Sequence, residues 1–276
     1  MRLLNCFHTI ADLELLSEDD WISGSGSGHI DTCYLKQILN CYDESALELA
    51  CRFRDAACSS VPVCSCTAVT VSADNNKTFL ELLAALGFTD THLISLRDPT
   101  SMETLSSEKA VALLYAYIQK QVPFDFILTG AQSGDGSQGK VPFLLAEYLG
   151  IRCISNVTDI RPVSETSVSV ISHLDSEIRE ETVSGPAVLV IGNVAGTYLR
   201  VPTLRQRMQS RHQEITVFHE DSLCSEMSAG QYLSLEENIQ LLNIEPVIQK
   251  RTSEIVNGSD PDEAARILYD HYKKWV

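Results

Sequence analysis

Positive charge is scarce in this chain. Lys and Arg number 21 against 37 Asp and Glu over 276 residues, a formal net charge of −16. Affinity for a nucleic-acid backbone rests on clustered Lys and Arg, so nucleic acid is excluded as a partner. An acidic surface suits a cytoplasmic protein or one that docks basic partners. No apolar run reaches membrane-spanning length, and the opening MRLLNCFHTI is too short and too polar for a secretory signal. A cytoplasmic location without stable membrane insertion is therefore expected. The nine cysteines include no C-x-x-C pair. Cys64 and Cys66 share one face of an expected strand, but no second cluster completes a zinc site. Reduced, mostly buried thiols are expected, and the sequons at Asn76, Asn156 and Asn257 carry no meaning in that compartment. Spacing builds no Ser-His-Asp or Cys-His arrangement, and Asp19/Asp20 and Glu180/Glu181 read as solvated charges.

What is present is a globular composition, 44% hydrophobic, in a regular alternation of strands and helices. RLLNCF (2–7) reads as a buried strand, followed by a polar stretch with SGSGSGH (23–29) as a flexible loop. YDESALELACRFRDAA is an amphipathic helix with Asp43 as its N-cap. VCSCTAVTV is a strand, NKTFLELLAALG a helix, THLISL a strand, SSEKAVALLYAYIQKQ a helix, FDFILTG a strand and VPFLLAEYLG a helix. This alternation predicts a doubly wound, mostly parallel α/β sheet, with ligands beyond the carboxyl ends of its strands at residues 7–8, 71–73 and 129–132. After Arg152 the segments CISNVTDI, TSVSVISHL and EETVSG read as an antiparallel addition, and PAVLVIGN as an apolar strand. From Arg205 the sequence reads as irregular until a closing helix, SDPDEAARILYDHYKKWV, capped by Ser259 or Asp260 and opened by Pro261. The expected organisation is an α/β domain over 1–210 and a C-terminal arm and helix over 211–276.

The motif with the most chemistry is GDGSQGK (134–140). It follows a strand and opens a helix, and it reads G-x-x-x-x-G-K. A phosphate-gripping P-loop needs a Ser or Thr hydroxyl next, to hold Mg²⁺, and Val141 stands there instead. A Mg-dependent NTPase is therefore not expected. The physics of close backbone approach at glycine and of anion attraction by a helix N-terminus remains. A plain glycine-rich turn is the competing reading.

The surrounding residues carry a resemblance. DFILTGAQSGDGSQGKVPFLLAEYLG resembles, without a gap, the nucleotide-binding segment of electron transfer flavoprotein β subunits. Asp125, Thr129, Gly130, Gln132, Asp135, Gly136, Gly139, Val141, Leu145, Ala146, Glu147 and Gly150 stand at matching positions. Ser137, Gln138, Lys140 and Pro142 depart from the pattern. LNCYDESALELA matches at Asn40, Ala46, Glu48 and Ala50; LAALGFTDTHLI is similar; GPAVLVIGNVAGTYLRVPTLRQRMQS matches at Pro186, Ala187, Val188, Arg200, Pro202, Leu204 and Met208. The closing IVNGSDPDEAARIL is similar as well. The likeness spans nearly the whole chain in order and is nearest to a divergent bacterial branch.

The resemblance implies a Rossmann-like, adenine-nucleotide-binding subunit. It would form a heterodimer with an α subunit, share FAD at the interface, and itself hold AMP or a second FAD. It further implies a flavin dehydrogenase or other redox partner. At matching positions Cys6 would lie against the adenine or ribose, Asn40 and Asp43 beside the nucleotide, and Val71 along it. Ser137, Gln138, Gly139, Lys140 and Val141 would cradle the phosphate, with Lys140 adding charge, and Gly130 and Asp135 would also belong to the cofactor site. Residues 192–200 match the loop with which the family grips dehydrogenases, and Arg200 would reach toward the FAD. His8 reads either as a polar contact near the nucleotide or as a satisfied histidine at a strand end. A non-redox adenine-nucleotide-binding regulatory module of the same fold is the alternative.

Overall fold

A computed structural model describes residues 1–27, 30–32, 34–57, 65–72, 76–97, 105–134, 139–192, 197–225 and 260–273. The chain divides into two units, one of Met1–Leu16 and Asp31–Gln240, the other of Ser17–Ile30 and Leu241–Val276.

The first unit is α/β and Rossmann-like. Its strands are β1 (Arg2–Cys6), β2 (Thr9–Ala11), β3 (Gln37–Leu39), β4 (Ser65–Ser72), β5 (Asp90–Ser95), β6 (Phe126–Gly130), β7 (Arg152–Pro162), β8 (Ser167–His173), β9 (Ile178–Ser184), β10 (Ala187–Ile191) and β11 (Thr216–His219). Nine of them form one sheet in the order β11-β5-β4-β1-β6-β10-β7-β8-β9. Every pairing from β11 to β7 is parallel, and β8 and β9 add the expected antiparallel edge. β2 and β3 form a separate antiparallel pair.

Strands β4, β6 and β10 are buried along their whole length; β10 reads accordingly as a continuous apolar run, while β4 alternates Ser and Thr with apolar residues. Alternation then sorts side chains onto two faces. On one face Leu3, Leu93, Phe126, Leu128 and Leu189 pack with Phe53 of α2 (Cys41–Ala57) and Leu80 of α3 (Lys77–Ala85). On the other, Leu4, Val69, Ile94, Ile127 and Val188 pack with Leu113 and Tyr117 of α4 (Ser107–Gln119) and Leu145 of α5 (Val141–Leu149).

Three local expectations are corrected. The flexible loop placed at 23–29 overlaps a helix, α1, which in the second unit runs Glu18–Ser27; Gly28 and His29 lie outside the described residues. Ser17 starts it: its Oγ accepts from the Asp20 N–H at 3.3 Å while its own N–H donates to Asp20 Oδ2 at 2.9 Å. Asp43 does not cap α2. Asn40 precedes that helix and its carbonyl accepts from the Glu44 N–H, while Asp43 turns inward. The described stretch from Arg205 to Ser225 is largely regular: α6 (Leu204–Ser210) is opened by a capping box of Thr203 and Gln206, and β11 and α7 (Glu220–Cys224) follow. β11 extends the main sheet, so the first unit runs past residue 210. The expected closing helix is present as α8 (Pro261–Tyr272), in the second unit, with Asp260 accepting from the Glu263 N–H. Residues 226–259 of the expected arm lie outside the described residues.

Of the described cysteines, Cys6, Cys51 and Cys66 are buried, Cys153 and Cys224 half-buried and Cys41 exposed, all as free thiols. Among the described residues no group of three or more His, Cys, Asp or Glu side chains is arranged to hold a metal ion, and no helix is long and apolar enough to cross a membrane.

Candidate functional site

The parallel strands converge at their carboxyl ends on the start of α2. Asp43, on the first turn of that helix, is buried yet keeps three donors. Its Oδ1 accepts from the Gly130 N–H at 2.8 Å, and its Oδ2 accepts from the His8 N–H at 3.1 Å and from Asn40 Nδ2 at 2.9 Å. One carboxyl thus fastens the ends of β1 and β6 to a helix. Burial pushes the Asp43 carboxyl up, and the donors from Asn40, Gly130 and His8 pull in the other direction. Gly130 is required by this contact: a Cβ there would stand 2.5 Å from Asp43 Oδ1 and 2.8 Å from Tyr42 Cβ. His8 takes part through its main chain, since its carbonyl also accepts from the Asn40 N–H.

Asn40 links this knot to the loop after β6. Its Nδ2 also donates to the Gln132 carbonyl at 2.7 Å, and Gln132 Nε2 donates to Tyr42 Oη at 3.0 Å. Asn40 Oδ1 is buried and has no partner among the described residues, and the same holds for Thr129 Oγ1 near the end of β6. A buried polar atom left unpaired is costly; seven other buried side-chain atoms among the described residues share this state, and these two stand out by their place at the strand ends. Cys6 closes β1 between Val69 and Thr129, and burial, then the charge of Asp43, pushes its thiol far up, so it is a neutral apolar wall. Val71, also buried, lies farther along β4, against Ile94.

The loop closes on the start of α5. Gly139 has φ +57°, and a Cβ would come within 3.1 Å of the Ala131 carbonyl, so the backbone fits closely there. Lys140 precedes α5, half-exposed, with Nζ 3.8 Å from Glu108 Oε1. Val141 opens the helix half-buried, and Pro142 takes its second position. The first-turn N–H groups of Val141 and Phe143 have no acceptor within the helix, and Pro142 has none to offer. Asp135, Ser137 and Gln138 lie outside the described residues.

The structure therefore gathers Cys6, Asn40, Asp43, Val71, Gly130, Gly139, Lys140 and Val141 at the carboxyl edge of the central strands and the start of α5. Arg200 is not among them. It lies along α2, its guanidinium on Glu48 at 2.8 Å and on Asp55 at 2.5 Å. Sequence reading missed one polar tie at this edge: Asn76 Nδ2 donates to Thr9 Oγ1 at 2.7 Å, both side chains buried. Asn76 just before the helix starting at Lys77 was the available signal.

Comparison with known proteins gives a consistent result. Over 273 residues, 99% of this chain and 97% of the relative, the chain is 29% identical to the Escherichia coli K12 protein named "Putative electron transfer flavoprotein subunit YgcR". Over 197 residues, 71% of this chain and 73% of the relative, it is 26% identical to the electron transfer flavoprotein subunit beta of Bacillus subtilis strain 168. Residues 28–223 match the electron transfer flavoprotein domain family. That span takes in most of the carboxyl-edge site and all of the strands from β3 to β11, and the chain belongs to the electron transfer flavoprotein domain family.

Proposed function

We propose that this chain is the β-type subunit of an electron transfer flavoprotein. It pairs with an α-type subunit, shares FAD with it, and holds an adenine nucleotide, AMP or a second FAD, at its own carboxyl-edge site. The observation that carries the reading is the Asn40–Asp43–Gly130 knot, which holds a buried Asn40 Oδ1, unpaired among the described residues, beside a glycine-containing loop and a helix start. The residues present fit an adenine nucleotide. Asn40 Oδ1 offers an acceptor for an amino or hydroxyl group, and the Thr129 hydroxyl offers a donor. Cys6 and Val71 supply apolar wall, while Gly139, the first turn of α5 and Lys140 suit a phosphate.

The bound flavin supplies the redox chemistry. The side chains of this subunit bind and orient. Asp43 keeps the ends of β1 and β6 in fixed register with α2, Asn40 aims its amide between helix and loop, and Lys140 adds a cation beside the phosphate. The redox partner is proposed to dock over the exposed segment that follows residue 196.

The test is co-expression with an α-type subunit. A yellow heterodimer with flavin absorbance is expected, and denaturing it should release FAD together with AMP or further FAD. A complex purified under mild conditions without any flavin would overturn the reading. Binding of AMP by the isolated chain with no flavin in any complex would instead support a non-redox nucleotide-binding module.

A further inference from the structure

Residues 197–203 have no regular secondary structure, yet they are fastened along one stripe of α2. Glu44, Glu48 and Asp55 lie on that stripe, four and seven residues apart. Ser45 Oγ donates to the Thr197 carbonyl at 3.4 Å, and Glu44 Oε1 accepts from the Leu199 N–H at 3.1 Å. Glu48 Oε2 accepts from the Arg200 N–H at 3.1 Å, and both Glu48 oxygens accept from the Arg200 guanidinium at 2.8–3.2 Å. Arg200 Nη1 donates to Asp55 at 2.5 Å. The Glu48 side chain is only 6% exposed and also receives Arg52 Nε at 3.1 Å. Every bond in this set comes from a side chain of α2 or of Arg200, and Leu199 and the buried Pro202 add apolar packing beneath the segment.

The fastened segment and α6 present an unusual surface. Tyr198, Val201, Leu204 and Met208 are 67–77% exposed, and Leu204 and Met208 share one face of α6. Arg205, Arg207 and Arg211 are exposed beside them, with no carboxylate in ion-pair contact among the described residues. On a chain of net charge −16 this is a basic, apolar patch, and the occupant it fits is a protein surface with an apolar centre and an acidic rim.

We infer that Glu48, supported by Glu44 and Asp55, is a positioning residue: it clamps Arg200 so that Tyr198, Val201, Leu204 and Met208 are held in one geometry for the acidic redox partner. In this role Arg200 is an internal clamp and touches neither flavin nor nucleotide. A segment already ordered before docking loses less conformational freedom on docking, so the clamp acts on partner affinity and not on the chemistry of the flavin. The inference rests on the proposed electron-carrier reading for the identity of the partner, but the clamp itself does not.

The experiment uses the full heterodimer and three variants: Glu48→Gln, Arg200→Lys and the exchanged pair Glu48→Arg/Arg200→Glu. Hydrogen exchange at the Leu199 and Arg200 amides should speed up on the order of tenfold in Glu48→Gln, the usual scale for a weakened charge-assisted bond. The exchanged pair should restore part of the protection. The KM for the flavoprotein that trades electrons with the complex should rise about tenfold, with kcat at saturation within about twofold. Flavin absorbance and reduction potential should be unchanged in Glu48→Gln and Arg200→Lys. A shifted potential in Arg200→Lys would make Arg200 a flavin contact and overturn the clamp, as would unchanged exchange in Glu48→Gln. Lack of flavin in the wild-type complex would defeat the carrier reading alone, since amide exchange still decides the clamp.

Discussion

Gly130 and Asp43 set a tight residue-scale constraint at the carboxyl edge. Replacing Gly130 by Ala puts a methyl group 2.5 Å from the carboxyl oxygen that accepts from its own N–H. Either α2 moves away from β6 or the hydrogen bond breaks. Gly130→Ala should therefore cost about 2–3 kcal/mol in denaturant unfolding, in the range of overpacked sites, and reduce the nucleotide retained on purification. Wild-type stability with full retention would show that α2 yields freely there. Asp43→Asn makes the opposite kind of change, keeping shape but turning one accepting oxygen into a donor. Facing His8 N–H, Asn40 Nδ2 and Gly130 N–H, an amide cannot satisfy all three. The expected loss is about 1–3 kcal/mol by chemical denaturation. Because burial raises the Asp43 carboxyl, the wild-type contribution is fully present below the ordinary aspartate value of 3.8 and weakens as pH rises through the folded one. The Asn variant lacks that titration, so the wild-type minus variant difference should narrow toward alkaline pH.

Among the elements, α2 joins two features, with Asp43 facing the strand ends and Glu48 facing the 197–203 segment. For Glu48 burial raises the carboxyl, but the hydrogen bonds and charge of Arg200 outweigh it and hold the group below its ordinary value of 4.5. Its stabilisation is thus complete above 4.5 and is lost as pH falls through the folded value. Glu48→Gln should cost about 1–3 kcal/mol near neutrality, the half-exposed guanidinium keeping it below a fully buried pair, and the difference should shrink below pH 4.5 in acid titration of unfolding. A difference constant across pH 3–7 would count against the ion pair as its source. The elements legible in the sequence were β1, β4, β5, β6 and β10 and the helices between them, ordered by apolar burial, together with the antiparallel β7–β9 and the closing α8, which its cap and Pro261 mark. Those missed are short and depend on partners distant in sequence, which periodicity does not register. β11 pairs with β5 and α7 buries Leu223 in the core, and both are tied further by Lys109 on Glu220 at 3.1 Å, by Arg97 on Asp221, and by Gln213 Nε2 donating to the Phe88 and Thr89 carbonyls. α1 starts from a Ser17–Asp20 box. At the site, spacing and resemblance reached Asn40, Gly130 and Gly139, but the inward turn of Asp43 and the placement of Arg200 depend on partners 87 and 152 residues away.

For the whole molecule the question is what occupies the carboxyl edge, and ligand linkage answers it with no redox partner in the sample. The Asn40 oxygen and Thr129 hydroxyl are unpaired among the described residues, so a nucleotide that pairs them adds bonds available only to the folded state. A ligand that binds the native state alone stabilises it by about 2.7 kcal/mol when present at about a hundredfold over Kd. For a chain of this size that is about 5 °C or more in Tm. AMP added to nucleotide-stripped full chain should give such a shift, FAD a shift of its own if the edge accepts the longer cofactor, and inorganic phosphate at equal concentration far less, because phosphate alone leaves Asn40 unsatisfied. Gly130→Ala should abolish the AMP shift, while Arg200→Lys should leave it intact, since Arg200 is engaged by Glu48 and Asp55. A Tm indifferent to AMP and FAD, or an AMP shift lost in Arg200→Lys but kept in Gly130→Ala, would move the nucleotide away from the Asn40–Gly139 edge and onto the flank of α2.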